Sequence, residues 1–415
     1  MNKVLKNSWA LFLGMSFIMM AYGFQGSLLG VRAVQEEFSL TSTGFMMSGY
    51  FVGYFIGAAT IPMIISRVGH IRVFAAFASL ASLVILIHSI IISPFVWFLL
   101  RVLTGLSMVC IYTVAESWLN DRSSNKNRGS VLSIYMVILY GSLGIGMFFL
   151  NFSTPKNFQP FILVSVITSA ALIPILLTKK KPPKFKKIGL MSIKELYKTS
   201  PFGSLAMFCT GFTMSAIFAM TAVYATVMNL SIFETSIILV LITMSGAIFQ
   251  WPIGSFSDNF DRRKIIIGCA IFGIIFSILA ILSSGMRLNN LFLESAVRFN
   301  YFSTNLDKFK LFLFITLLSG MLLPLFSLIL ALVNDYIKKD KFVSAGAGLN
   351  VIFGLGAMTG PLMCSFLMLN FGPNGYFIHL ILFSLPIVIF GFYRLSKRKY
   401  EDNPDSTFTP LPTNI

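Results

Sequence analysis

The chain has 415 residues, of which 56% are hydrophobic, 14% aromatic and only 11% charged. A soluble domain carries roughly 25% charged residues, so this chain cannot cover itself with polar groups in water; the composition excludes a soluble enzyme and requires the bilayer as solvent. The net charge of +17 comes without a basic patch interleaved with aromatics on a soluble domain, so it signals membrane topology, and no nucleic-acid partner is expected.

Long apolar runs predict an all-α integral membrane protein with twelve transmembrane helices. Six fall at 8–31, 42–65, 72–92, 94–118, 129–151 and 158–178. Six more fall at 202–228, 233–256, 264–284, 310–333, 343–368 and 374–394. Each can cross a hydrocarbon core of ~30 Å at ~1.5 Å per residue, and none shows the alternation of a membrane barrel. The first run is too long for a secretory leader and no small-residue cleavage site follows it, so it is read as a span.

The first span carries Tyr22 and Gln25 in its second half and Arg32 at its outer end. The turn after the second, PMIISRVGHIR, holds Arg67, Gly69 and Arg72. The fourth span places Arg101 about two turns in and Glu116 near its other end. At about 100° per residue, Arg101, Gly105, Tyr112 and Glu116 share one stripe, and the two charges stand ~22 Å apart along the axis. Ionisable residues inside a span are costly and mark function. Glu116 is either a proton-coupling carboxylate or a partner of Arg67; Arg101 either meets a ligand or bonds carbonyls; Arg32 either meets a ligand or snorkels to the interface.

The basic stretch KKKPPKFKKIGLMSIKELYKTSP, 179–201, separates a first bundle (1–178) from a second (202–395), with a tail at 396–415. Within it, Ser192 and Glu195 have the spacing of a capping box and predict a short helix. Ile193, Leu196 and Tyr197 would then face lipid, with Lys194 and Lys198 at anionic head groups, unless the stretch is a solvated connector. After the eighth span the chain reads GSFSDNFDRRK, where Gly254, Asp258, Arg262 and Arg263 cluster. The two halves echo each other: Asn120–Asp121 returns as Asn334–Asp335, and Gly146 as Gly360 at the same offset. Such weak internal repetition is typical of transporters.

Of the 32 Lys and Arg, Arg101 lies within a span and Arg32, Lys156, Arg287, Arg298, Lys308 and Lys310 lie on one side. The remainder lie with the termini, which places both termini in the cytoplasm by the positive-inside rule. Cys110, Cys209, Cys269 and Cys364 fall in different spans and read as small core hydrophobes. Trp9, Trp97 and Trp251 read as interface anchors or core. His70, His88 and His379 have no metal spacing, and there is no nucleotide-cradling G-x-x-x-x-G-K-[ST] or nucleophile elbow, so no enzyme, metal or cofactor is expected.

These motifs resemble the major facilitator superfamily of secondary transporters, whose loop signature is roughly G-x-L-x-D-R-x-G-R-R. The second copy keeps Gly254, Asp258, Arg262 and Arg263, with Asp261 where the family has Gly. The first keeps Arg67 and Gly69, but has Pro62 for the first Gly, Ser66 for the Asp and His70 for the next Arg. A second signature, R-x-x-x-G in the fourth span, appears as Arg101 and Gly105. AESWLN and PLFSLILALVND are similar to an uncharacterised bacterial branch of these transporters.

The resemblance implies two pseudo-symmetric six-helix bundles that alternate access around a central path lined by spans one, four, seven and ten. It implies substrate contacts at Tyr22, Gln25, Arg32, Arg101, Tyr112 and Tyr224, with Asn350 on span eleven a weaker candidate. Glu116 would couple transport to H⁺. Arg67, Gly69, Arg72, Gly254, Asp258, Arg262 and Arg263 would form gating latches, with an Asp meeting an Arg or a helix N-terminus across the bundle interface. The expected protein is a monomer in the bacterial plasma membrane moving a small polar or anionic organic solute. A drug/proton antiporter is the alternative, although the Gly-Pro pair is at Gly360–Pro361 in span eleven and absent from span five. A membrane sensor that has lost transport is a further one.

Overall fold

The computed structural model describes residues 2–122, 128–152, 154–177, 191–284, 305–338 and 341–397, and among these it is helical with no strand. The first bundle comprises α1 (Asn2–Gln35), α2 (Leu40–Val68), α3 (His70–Ile90), α4 (Pro94–Arg122), α5 (Arg128–Phe148), α6 (Gln159–Ala170) and α7 (Leu172–Leu176). A short helix, α8 (Ile193–Thr199), precedes the second bundle. That bundle contains α9 (Pro201–Val227), α10 (Ile232–Asn259), α11 (Arg262–Ser283), α12 (Asn305–Leu322), α13 (Leu325–Asn334), α14 (Phe342–Phe371) and α15 (Gly375–Lys397). The linker residues 178–190 and the tail from 398 lie outside the described residues.

Two predicted spans are broken where the sequence suggested single helices. The sixth pass divides into α6 and α7 and the tenth into α12 and α13. Pro174 and Pro324 lack the N–H that would bond the carbonyl four residues earlier, and each lies at or just beyond its break. The last two passes form one apolar stretch, Ser344–Lys397, folded back through the short turn Gly372–Asn374. Helix starts are fixed by side-chain caps. Ser39 accepts from the Ser42 N–H at 3.1 Å, and Ser231 and Glu234 complete a reciprocal capping box. Between α2 and α3 the chain reverses at one residue, Gly69, whose φ of 91° is open to glycine and strained for side chains.

Within the first bundle, α2 and α4 touch backbone to backbone. Gly49, Gly53 and Gly57 repeat every four residues along α2 and face α4 at Phe98, Val102 and Val109. Gly105 answers from α4, where a Cβ would meet the carbonyl of Tyr50 and lie 2.9 Å from the Tyr54 nitrogen. Small residues at four-residue spacing allow this close approach, which is how helices associate where lipid supplies no hydrophobic driving force.

The bundles meet at the face opposite the N-terminus, here the far face. Gly44 of α2 abuts Ser365 and the Pro361 carbonyl of α14. Gly30 of α1 lies against Ala222 of α9, and Asn151 donates to the Ser236 hydroxyl of α10 at 2.9 Å. Deeper in, Thr243 reaches the Met147 sulfur at 3.3 Å and Phe55 packs on Gly354.

The predicted capping of α8 is present, with Ser192 accepting from the Glu195 N–H at 3.2 Å. The predicted lipid-facing set is corrected in one member: Leu196 is fully buried against Gly348 of α14, while Ile193 and Tyr197 are exposed. Glu195 extends to Lys341 at 3.1 Å, and the Met191 N–H donates to the Ser344 carbonyl at 3.0 Å. The described end of the linker is thus fastened to α14.

Because a Cβ at position 44 has no room beside Ser365, Gly44→Val should hold the far face open. Labelling of Ala219→Cys by an impermeant thiol reagent applied to that face should rise severalfold in the valine background, with the four buried native thiols contributing little; unchanged labelling would show that this contact does not govern closure.

Candidate functional site

A cavity of about 440 Å³, counting its open mouth, lies between the bundles beneath the far-face contacts. From α1 it takes Tyr22, Gly23, Gly26 and Ser27, and from α2 Met47 and Phe51. Arg101 enters from α4, with Leu143 and Met147 from α5. The second bundle supplies Phe218, Ala219 and Ala222 from α9 and Leu239 from α10.

Arg101 is only 3% exposed. Its guanidinium carbon sits 5.0 Å from the centre of the Tyr50 ring, and the Tyr50 and Tyr22 rings are 5.3 Å apart. Its Nε and Nη1 atoms meet no hydrogen-bond acceptor, and no ion pair of the described residues includes it. Desolvating a guanidinium without a counter-charge costs several kcal/mol, whereas a cation–π contact returns only ~0.5–2 kcal/mol. The balance favours an anion in the cavity, where a carboxylate would receive charge-assisted hydrogen bonds.

The other expected substrate contacts are distributed away from the cavity wall. Gln25 is buried and donates to Thr104 at 3.4 Å, tying α1 to α4. Tyr112 donates to the Met19 sulfur at 2.9 Å. Arg32 pairs with Glu36 at 2.8 Å and donates to the Pro155 carbonyl at 2.9 Å, so it clamps the far end of α1 to the loop before α6 and does not line the cavity. Tyr224 is buried inside the second bundle, stacked on Tyr376 with centroids 5.0 Å apart. Asn350 is half-buried on α14 and does not line the cavity. Apart from Ser27, the wall residues that the sequence did not single out are apolar or glycine, types that carry no chemical signature outside their three-dimensional setting.

Glu116 is half-buried on α4, toward the N-terminal face from the cavity, within electrostatic reach of Tyr112 and Tyr135. Arg67 is exposed and does not enter the ion pairs of the described residues, so the Arg67–Glu116 alternative is not realised here. Arg72 is likewise exposed. The residue that the repeat places opposite this loop, Asp121, has a side chain outside the described set.

The second loop is well ordered by ion pairs. Arg262 reaches Asp258 at 2.8 Å and Asp335, at the end of α13, at 3.1 Å. Arg263 holds Asp261 at 2.7 Å, while Asp261 caps α11 through the Arg263 N–H at 3.0 Å. Gly254 is buried at the foot of α10. Among the described residues, the ion pairs of this loop join elements of the second bundle. The reason is geometric: Asp258 and Arg262 flank the turn between α10 and α11, and Asp335 is delivered by the end of α13.

The Asp335 carboxylate is fully buried and that of Asp258 is one-third exposed. Removing one partner of a buried pair costs ~3–5 kcal/mol, against ~0.2–1 kcal/mol for an exposed pair. Asp335→Asn should therefore lower the thermal unfolding temperature of the purified protein well beyond Asp258→Asn; equal shifts would deny Arg262–Asp335 this role.

Comparison with known proteins agrees with this architecture. The model described as Major Facilitator Superfamily matches residues 11–299. The uncharacterized MFS-type transporter YcaD of Escherichia coli is 22% identical over 369 residues, covering 88% of this chain and 90% of its own length. In fold, the chain is similar to the nucleoside transporter NupG, with TM-score 0.70 and 12% identity over 96% of this chain and all of that one. It is also similar to a bacterial homolog of the human lysosomal transporter Spinster in its inward-facing and occupied conformation, with TM-score 0.70 and 13% identity over 95% and 97% of the two chains. The matched span, the two six-pass bundles and the cavity between them show that this chain belongs to the major facilitator superfamily.

Proposed function

We propose that this transporter moves a small anionic organic solute across the bacterial plasma membrane by alternating access, coupled to H⁺ and acting as a monomer with both termini in the cytoplasm. The observation that carries the reading is the Arg101 guanidinium, buried at the cavity with two nitrogen atoms unpaired. The basic loops, gathered on the face of the N-terminus, support the orientation. With that orientation, the far-face contacts close the outside and the cavity is reached from the cytoplasm. Residues 115–120, AESWLN, are consistent with the bacterial branch noted above.

Two substitutions test the site. A charge-assisted hydrogen bond is worth about 1.5–3 kcal/mol, so Arg101→Gln should weaken anion binding by roughly ten- to a hundredfold. Arg101→Lys should recover little, because a point charge replaces the planar fork. Calorimetric affinities unchanged in the glutamine variant would refute anion recognition by Arg101.

Glu116 is assigned the coupling proton because it lies on the same α4 stripe as Arg101, half-buried, toward the cytoplasmic end. A coupled carrier requires a group that loads and releases its proton as access alternates. In proteoliposomes, Glu116→Gln should lose accumulation driven by a pH gradient and keep solute exchange; continued accumulation would remove Glu116 from coupling.

A second reading, proton-driven efflux, is supported by the apolar walls contributed by Phe51, Phe218 and Leu239. The direction of flux under a pH gradient distinguishes it from uptake.

A further inference from the structure

We propose that the substrate is an apolar-bodied monocarboxylate, with an aromatic ring the body that best matches the chemistry of the wall, a specificity that rests on the anion reading above and narrows it. The cavity contains one charged side chain, Arg101, and no carboxylate. Its other polar side chains are Tyr22 and Ser27, and the Ser27 hydroxyl already donates to the carbonyls of Gly23 and Phe24, each at 3.0 Å. Polar recognition is therefore concentrated on the first bundle, where Arg101 and Tyr22 line the same cavity. The second bundle offers Phe218, Ala219, Ala222 and Leu239, with no donor or acceptor on any side chain.

This asymmetry excludes several classes. A sugar or nucleoside would place hydroxyls against Phe218 and Leu239, and each buried polar group left unpaired costs ~1–3 kcal/mol. An amino acid would bring an ammonium group that finds no acid in the cavity and is repelled by Arg101. A dicarboxylate would carry its second charge into the apolar half, where desolvation outweighs any gain. A cationic drug meets a like charge at the only charged group. A single carboxylate on a ring satisfies both ends: the anion answers Arg101, and the ring finds Phe51, Phe218 and Tyr22, the kind of aromatic contact worth ~0.5–1.5 kcal/mol beyond burial. The two bundles also contribute unequally, the first recognising charge and the second sensing only shape and apolarity.

The test is calorimetric titration of the purified full-length protein with phenylacetate, benzyl alcohol, succinate, phenylalanine and uridine, repeated on Arg101→Gln. Phenylacetate should bind, with benzyl alcohol, succinate, phenylalanine and uridine each at least tenfold weaker and phenylacetate itself at least tenfold weaker in the variant. Leu239→Gln, which adds polar groups to the apolar end, should reduce the preference for phenylacetate over succinate. If succinate binds as well as phenylacetate and both depend on Arg101, the apolar monocarboxylate class falls while the anion reading stands. If benzyl alcohol or uridine binds best, or if neither anion binds folded protein, both fall.

Discussion

The close approach of α2 and α4 is the constraint on which the rest of this structure depends. Gly49, Gly53 and Gly57 let the α4 backbone lie directly against α2, and Gly105 returns the contact from the other side. That approach sets Tyr50 beside Arg101, at 5.0 Å from the ring centre, and fixes the cation facing the second bundle. With a larger residue at Gly53 or Gly105 the helices would separate by a side-chain layer, and the guanidinium would lose both its aromatic neighbour and its position. A packing motif thus determines the electrostatics of the cavity: α1 and α5 complete the wall, and low dielectric and missing partners make the buried charge expensive to leave unanswered, which is what the proposed anion recognition rests on.

The two faces of the molecule are held by different physics. The far face is closed by small-residue contacts, Gly44 against Ser365 and Gly30 against Ala222, with an inter-bundle hydrogen bond from Asn151 to Ser236 reinforcing them. Such van der Waals contacts are individually weak and separate without leaving a buried charge behind, which suits a gate that must open in each cycle. The N-terminal face is charged, and among the described residues its ion pairs lie in the second bundle, where Arg262 joins the α10–α11 turn to the end of α13. They stiffen that bundle as a rigid body, and α8, pinned to α14 through Leu196 and Glu195, ties the start of the second half to it. A rigid second bundle with an apolar contribution to the cavity, facing a first bundle that carries the charge, is the physical setting of the transport reading.

Much of the architecture was legible in the sequence because the bilayer imposes it. Twelve passes and a division at a basic linker follow from hydropathy and the placement of Lys and Arg, quantities insensitive to packing detail. The capping pattern at Ser192 was legible for the same local reason: a cap depends on residues three apart. The breaks at Pro174 and Pro324 were readable in principle, since a missing N–H is a property of the residue. Of the expected contacts, Tyr22 and Arg101 reach the cavity. Their stripes on spans one and four follow from a fixed helical repeat, and an intramembrane arginine announces itself.

What only the tertiary structure decided concerns partners. Arg32 was visible as a charge at the end of a span, but its bond to the Pro155 carbonyl depends on where a distant loop arrives. Tyr224 belongs to a span expected to line the path, yet rotation of α9 turns its ring into the second bundle against Tyr376. Asp258 was visible as an acid in the turn after the eighth span, but its bond to Arg262, and the second acid that the arrival of α13 gave Arg262, depend on the fold. The apolar half of the cavity was invisible for a related reason: Phe218, Ala219 and Leu239 resemble every other lipid-compatible residue until the fold sets them opposite Arg101. The sequence by itself determined which segments cross the bilayer and which charges must be answered, because solvation acts on each segment separately. Which group answers which charge was left to the fold, because a hydrogen bond or ion pair requires two atoms within about 3 Å and helix rotation, tilt and neighbour identity are settled only when all the helices pack together.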